Sequence, residues 1–210
     1  TDVPICLDSE GAQLRNGSMI SENLTFTKGD KVKILKKAVI GDTKSISFNP
    51  INITDQFEVG DKIQIDFNNV TFEIISKGKN EFTALVINGG NISSNKAADL
   101  NRDLDFDPLT QKDIEAIKIG LDNKISNFAM SFANNPKNVD LMRALCGKYS
   151  SIICKIESHL GVKNLKGIIK KTDAILIDRG DLSRQIPIER IPFLQRSIIA
   201  TSRYMECPVY

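Results

Sequence analysis

The chain has 210 residues, 41% hydrophobic and 26% charged, with a formal net charge of +2, the profile of an ordinary globular protein. Basic and acidic residues are mixed along its length, which argues against a nucleic-acid partner or an anionic membrane surface. No apolar run approaches the ~20 residues that span a bilayer, and no secretory leader is visible.

Four separated cysteines (Cys6, Cys146, Cys154, Cys207) form no C-x-x-C pair, and His159 alone cannot complete a zinc site. They read as buried, reduced thiols of a cytoplasmic protein. The sequence starts at Thr1-Asp2 without Met and stops at Cys207-Pro208-Val209-Tyr210, which reads as the opening of another strand. A piece of a longer chain is expected.

In chain order, residues 3–7 (VPICL) read as a strand that exits at Asp8-Ser9-Glu10-Gly11. From about 11 to 100, turn signals separate short alternating runs: LTFT at 24–27, KVKIL at 31–35, KIQIDF at 62–67, VTFEI at 70–74 and FTALVI at 82–87. Turns every ~8–12 residues between period-two runs predict a small antiparallel barrel or sandwich. The Asn68-Asn69 step predicts a tight hairpin.

After residue 100 strands alternate with helices. Thr110 is the expected N-cap of a helix with Asp113 in its first turn and a stripe of Ile114, Ile117 and Leu121. A strand at 127–132 (NFAMSF) follows. Asn138 is then read as the cap of a helix carrying Leu141, Met142 and Leu145 and ended by Gly147. One helix is expected to carry Val162, Leu165, Ile168 and Ile169, and another Ile191, Leu194, Ile198 and Ile199. Such alternation implies a parallel sheet and fits both a (β/α)₈ barrel and an open doubly wound sheet. Neither G-x-G-x-x-G nor G-x-x-x-x-G-K-[ST] occurs.

Two further runs end abruptly in charge. Ile152, Ile153 and Cys154 lead into Lys155, Ile156 and Glu157, and Ala174 to Ile177 lead into Asp178, Arg179, Gly180 and Asp181. Sites in strand–helix proteins lie at these carboxyl ends of strands. Glu157 and Asp181 then become carboxylates on neighbouring strand ends beside Lys155, a ligand set suited to Mg²⁺. The RGD at 179–181 has an adhesive reading only in an exposed loop of a secreted protein.

The wording of these stretches is more specific than their pattern. KIE followed by SH-x-G, then DAILI-x-RGDL with Ile-Pro a few residues on, resembles pyruvate kinase. The resemblance implies an α/β fold: a partial TIM (β/α)₈ barrel with an inserted all-β lid. It places a barrel strand at 1–10, the lid at 11–100, and barrel βα units at 101–210. Strands three to six and the start of seven would be present, and a barrel cut in this way should leave its sheet edges unpaired.

The resemblance also implies the chemistry: phosphoryl transfer between phosphoenolpyruvate and ADP, giving pyruvate and ATP, the final step of glycolysis. Carried over residue by residue, Glu157 and Asp181 bind Mg²⁺ or Mn²⁺, and Lys155 contacts the phosphoryl group. Gly180 lets backbone approach the substrate. Asp8 and Ser9 serve K⁺, and Arg15 and Lys96 approach the nucleotide. A homo-oligomer, tetrameric in the family, is expected of the full-length protein.

This chain departs from the family pattern at Ser9 for Thr, Ala12 for Pro, Gln13 for Glu, Phe67 for the second Asp of a V-D-D-G hairpin and Ala97 for Gly. Asp178 stands for Ala, Ser183 for Gly and Gln185 for Glu. Two other classes therefore stand beside the kinase. One is a binding or regulatory homologue without catalysis. The other is a metal-dependent lyase on phosphoenolpyruvate or pyruvate.

Overall fold

The computed structural model describes residues 3–11, 13–67 and 69–210. Thr1, Asp2 and the Ala12 departure lie outside the described residues, as does Asn68. The chain divides into two compact units, Gln13–Phe106 on one hand and Thr1–Ala12 with Asp107–Tyr210 on the other.

The second of these holds a parallel sheet. After β1 (Cys6–Asp8) the chain leaves for the other unit, where β2 (Leu14–Asn16), β3 (Leu24–Phe26), β4 (Lys31–Leu35), β5 (Ser45–Asn49), β6 (Lys62–Ile65), β7 (Val70–Lys77), β8 (Glu81–Asn88), β9 (Gly90–Ile92) and β10 (Ala97–Leu100) follow. Seven of these close into a barrel in the order β10-β2-β5-β4-β8-β7-β6, while β3 and β9 form a separate antiparallel pair. Alternation makes the barrel possible: in β4, Val32 and Ile34 are buried while Lys31 and Lys33 face water. Phe48, Phe57, Phe72 and Phe82 fill the interior, with Phe48 edge-on to Phe57 at 5.7 Å.

Every barrel pairing is antiparallel except β4 with β5, where Lys33 lies opposite Ser45 in a parallel register. Beyond β10, Arg102 Nε meets the buried carboxylate of Asp61 at 2.7 Å. The hairpin between β6 and β7 is wider than a two-residue turn. Ile65 pairs with Val70, so the connection runs over 66–69, and Asp66 and Phe67 take the left-handed conformation (φ 54° and 55°).

The sheet of the other unit runs β1-β11-β12-β13, all parallel, with β11 at Asn127–Met130, β12 at Ser151–Ile156 and β13 at Ala174–Ile177. Helices α1 (Gln111–Asp122), α2 (Pro136–Cys146), α3 (His159–Lys163), α4 (Leu165–Ile169), α5 (Arg179–Gln185) and α6 (Ile191–Tyr204) connect and cover these strands. Phe128, Met130, Ile152, Cys154, Ile156 and Ile175 form the core with Ile117, Met142, Ile168 and Ile198 from the helices. This is a partial (β/α) barrel carrying an inserted, closed β-barrel. Residues 208–210 run beside β13, Ile175 N–H donating to the Pro208 carbonyl at 2.8 Å, as the strand-like ending predicts.

Several local expectations change. The strand expected at 3–7 pairs only from Cys6, because β11 is its one partner among the described residues and that register starts at Asn127. Val3 and Ile5 are exposed there, and so is Cys6, which corrects its reading as buried. Thr110 caps α1 in a reciprocal box with Asp113, but the buried stripe is Asp113, Ile117 and Gly120, leaving Leu121 outside.

The cap of α2 is Asn135, followed by Pro136; Asn138 is the third helical residue and completes the box from inside. Leu141 is exposed, whereas Met142 is buried as expected and is joined by Val139 and Cys146. The single helix expected to carry Val162, Leu165, Ile168 and Ile169 breaks at Asn164, whose side-chain amide donates to the Asn134 carbonyl at 2.8 Å. The turn that follows packs Gly167 against Pro136 so closely that a Cβ would lie 2.6 Å from the proline ring.

Candidate functional site

The carboxyl ends of the four parallel strands carry the polar residues. Asp8 ends β1, Ser131 follows β11, Lys155 and Glu157 sit at the end of β12, and Asp178 follows β13. Alternation along β12 buries Ile152, Cys154 and Ile156 in the core and turns Lys155 to the opposite face. There its ammonium lies 3.0 Å from Glu157 Oε1, 3.1 Å from Asp8 Oδ2 and 3.1 Å from Ser131 Oγ.

Glu157 is almost completely enclosed, and its Oε2 accepts the Phe132 N–H at 2.6 Å. Phe132 holds that amide in place with a left-handed backbone (φ 50°). Ser131 Oγ donates to the Ser9 carbonyl at 2.7 Å, and Ser9 Oγ accepts the Ser131 N–H at 3.0 Å. Gly11 makes room for this contact. A Cβ on it would lie 2.8 Å from the Ser131 Cβ, and its φ of 70° disfavours any other residue.

Burial pulls the Lys155 ammonium down, but the charge and hydrogen bond of Glu157, joined by Asp8, outweigh it and hold its pKa above the ordinary lysine value. For Glu157 burial is the larger effect and wins. It pushes the carboxyl above its ordinary value despite the Phe132 N–H and Lys155, and Asp181 adds to the rise. The different outcomes follow from enclosure: the Glu157 side chain is 1% exposed, that of Lys155 14%.

Asp181 does not stand on a strand end as the sequence suggested. Asp178 Oδ1 accepts the N–H groups of Gly180 and Asp181 at 3.0 and 3.3 Å, starting α5 one residue after β13 and placing Asp181 in its first turn. Glu157, Asp178 and Asp181 each offer a carboxylate oxygen, and these oxygens lie within 4.8 Å of one another. Clustered carboxylates, one of them deeply buried, fit a hard divalent cation such as Mg²⁺ or Mn²⁺. Arg184 Nη1 lies 3.1 Å from Asp181 Oδ1, with only 6% of its side chain exposed.

Asp8 and Ser9, expected at a monovalent cation, are engaged within the chain by Lys155 and Ser131. Ser131, Arg184 and the capping role of Asp178 were missed from sequence. A hydroxyl at the exit of NFAMSF and a cation three residues after Asp181 were their only signals.

The two remaining residues belong to the β-barrel unit and lie together there. Arg15 pairs with Ala97 across β2 and β10 and donates to the Asn95 carbonyl at 2.7 Å. Lys96 Nζ lies 3.6 Å from Asp66 Oδ2, and its N–H donates to the buried Asn16 side chain at 2.7 Å. Phe67, beside Asp66, is 68% exposed.

Parallel strands that gather carboxylates and a lysine at their carboxyl ends, interrupted after the first by a closed β-barrel, define a (β/α)-barrel protein with an inserted β domain. A family model described as "Pyruvate kinase, barrel domain" matches residues 1–210. The pyruvate kinase of Thermotoga maritima is 30% identical over 211 residues, covering 99% of this chain and 45% of that protein. Plastidial pyruvate kinase 3 of Arabidopsis thaliana is also 30% identical, over 99% of this chain and 37% of its own length. A crystal structure of a pyruvate kinase from Cryptosporidium parvum superposes with a TM-score of 0.83 at 25% identity, covering 98% of this chain and 44% of that one. The chain belongs to the pyruvate kinase family. It spans less than half the length of these relatives. Among the described residues no helix is long and apolar enough to cross a membrane.

Proposed function

We propose that this chain supplies the metal- and phosphoryl-binding strands of an enzyme that transfers a phosphoryl group between phosphoenolpyruvate and ADP, yielding pyruvate and ATP. The observation that carries this reading is the Lys155 ammonium 3.0 Å from Glu157, whose carboxylate belongs to one cluster with that of Asp181. Membership of the pyruvate kinase family supports it.

Glu157 and Asp181 hold Mg²⁺ or Mn²⁺ in this proposal. When bound, the cation neutralises charge on the substrate's carboxylate and phosphoryl oxygens. Lys155 stays protonated between Glu157 and Asp8, aimed before the substrate arrives. Phosphoryl transfer depends chiefly on positioning and charge neutralisation, so a preset ammonium stabilises charge that develops on the transferring group and the enolate oxygen. The phosphoryl leaves the enol oxygen for the terminal phosphate of ADP, and the enolate takes up a proton to become pyruvate.

Gly180, without a side chain, lets the start of α5 approach the substrate. Arg15 and Lys96 contact the nucleotide phosphates, and Asp8 and Ser9 contribute to a K⁺ site. The whole protein is proposed as a cytoplasmic homo-oligomer.

The test is pyruvate formation by the whole protein from phosphoenolpyruvate and ADP, with and without Mg²⁺ and K⁺. Turnover that requires the divalent ion supports the reading. A folded protein that binds phosphoenolpyruvate without turnover would instead support a binding homologue, which exposed Phe67 in place of an expected carboxylate favours.

A further inference from the structure

We propose that Asp178 is a third carboxylate acting on the divalent cation and that Arg184 is the positioning residue whose charge permits it. This rests on the metal reading above and goes beyond it, since the family motif has Ala where Asp178 stands. Three carboxylate oxygens within 4.8 Å of one another repel strongly unless each has a partner of its own. Each has one. Glu157 has Lys155 and the Phe132 amide, Asp178 has the amides of Gly180 and Asp181, and Asp181 has Arg184.

Arg184 is the unusual partner. A guanidinium so deeply enclosed needs a carboxylate, and α5 places it one helical turn after Asp181, against that side chain. The two extra charges offset each other. Against a site holding Glu157, Asp181 and Lys155 alone, Asp178 adds one negative charge and Arg184 one positive, so the net charge around a cation is unchanged while the negative group lies nearer to it. Arg184 also fixes the Asp181 carboxylate, which an uncompensated Asp178 would push away.

Mn²⁺ binding to the whole protein without substrates, followed by the paramagnetic resonance of free Mn²⁺, tests this. Asp178→Asn keeps a capping oxygen and removes only charge, and is expected to raise the Mn²⁺ Kd about tenfold. Arg184→Gln is expected to lower it by about threefold or more, and the double variant to return within about threefold of wild type. Arg184→Lys keeps the charge and should stay within about threefold of wild type, which serves if Arg184→Gln fails to fold. An unchanged Kd in Asp178→Asn overturns the proposal, as does a shift in the same direction by both single variants or loss of binding in Arg184→Lys. Glu157→Gln with Asp181→Asn separates the two readings. If that pair also leaves Mn²⁺ affinity unchanged, the metal reading itself fails; if it abolishes binding while Asp178→Asn does nothing, only the present inference fails.

Discussion

Lys155 Nζ lies 3.0 Å from Glu157 Oε1, two residues along one strand exit, so each charge is enclosed against the other. Removing the cation therefore has two effects that separate experimentally. Lys155→Met should lower kcat of the whole protein by about 100-fold or more with a smaller change in KM, because in the proposed reaction the ammonium acts on charge that develops during transfer. It should also destabilise the fold by roughly 3 kcal/mol, since Glu157 is left enclosed without its partner. Adding Glu157→Gln should restore stability in a thermal melt and leave kcat low. Turnover near wild type in Lys155→Met would make the lysine structural only.

Glu157→Ala and Asp181→Ala should each abolish divalent-dependent binding of phosphoenolpyruvate. Asp181 is itself partly exposed, but its loss takes the carboxylate from the enclosed Arg184 guanidinium, so the melting temperature should fall by about 3 °C or more. Unchanged Mn²⁺ affinity in the double alanine variant would remove both residues from the metal site.

The β-barrel unit depends on Arg102. Its ion pair with Asp61 is 2.7 Å long, and it also donates to the Gln56 carbonyl. Arg102→Ala should cost about 2 kcal/mol, discounted for the partial exposure of the guanidinium, because Asp61 is left buried. Hydrogen exchange should accelerate in β6 and β10. Unaltered protection in both strands would show that the pair is dispensable.

Alkaline pH should destabilise the parallel-sheet unit. Burial pushes the Cys154 thiol up to about 12 and, opposed by Arg143, the Cys146 thiol up to about 11, from an ordinary 9.0. The fold thus holds both thiols neutral. Below pH 9 folded and unfolded chains both carry the protons and the contribution is complete. Above it the unfolded chain ionises first, and stability falls by at most about 1.4 kcal/mol per pH unit for each thiol until the folded values are reached. Denaturant melts between pH 8 and 10.5 should show this decline, and replacing Cys146 and Cys154 by Ala should flatten it. An equal slope in the variant would place the sensitivity elsewhere.

KVKIL was legible because alternation gives it one buried face, DAILI because it is a continuous apolar stretch, and Thr110 because an N-cap is a local event. Asn135 and Asn138 were confused for a physical reason: in a reciprocal box both side chains bond the other's backbone, and only Pro136 at the first helical position tells them apart. The break at Asn164 depends on the Asn134 carbonyl thirty residues away, which no local pattern encodes. Lys155, Glu157 and Asp181 were singled out by the wording of two motifs, and the fold places Lys155 against Glu157 and Glu157 in one cluster with Asp181. Ser131 and Arg184 were not, since each acquires its meaning only when a second strand end or a helical turn brings it against a charge.

The pairing of Leu14 with Ala98 at the root of the inserted barrel bears on the order in which the chain folds. Cys6 and Asn127 must meet to start the parallel sheet, and about 120 residues separate them. Once β2 and β10 are zipped, the unconstrained stretch shrinks to roughly a third, which lowers the entropic barrier to joining β1 and β11 by about 1 kcal/mol. The insertion then acts as a clasp during synthesis. It holds an early strand in waiting until its neighbour, encoded far downstream, has emerged.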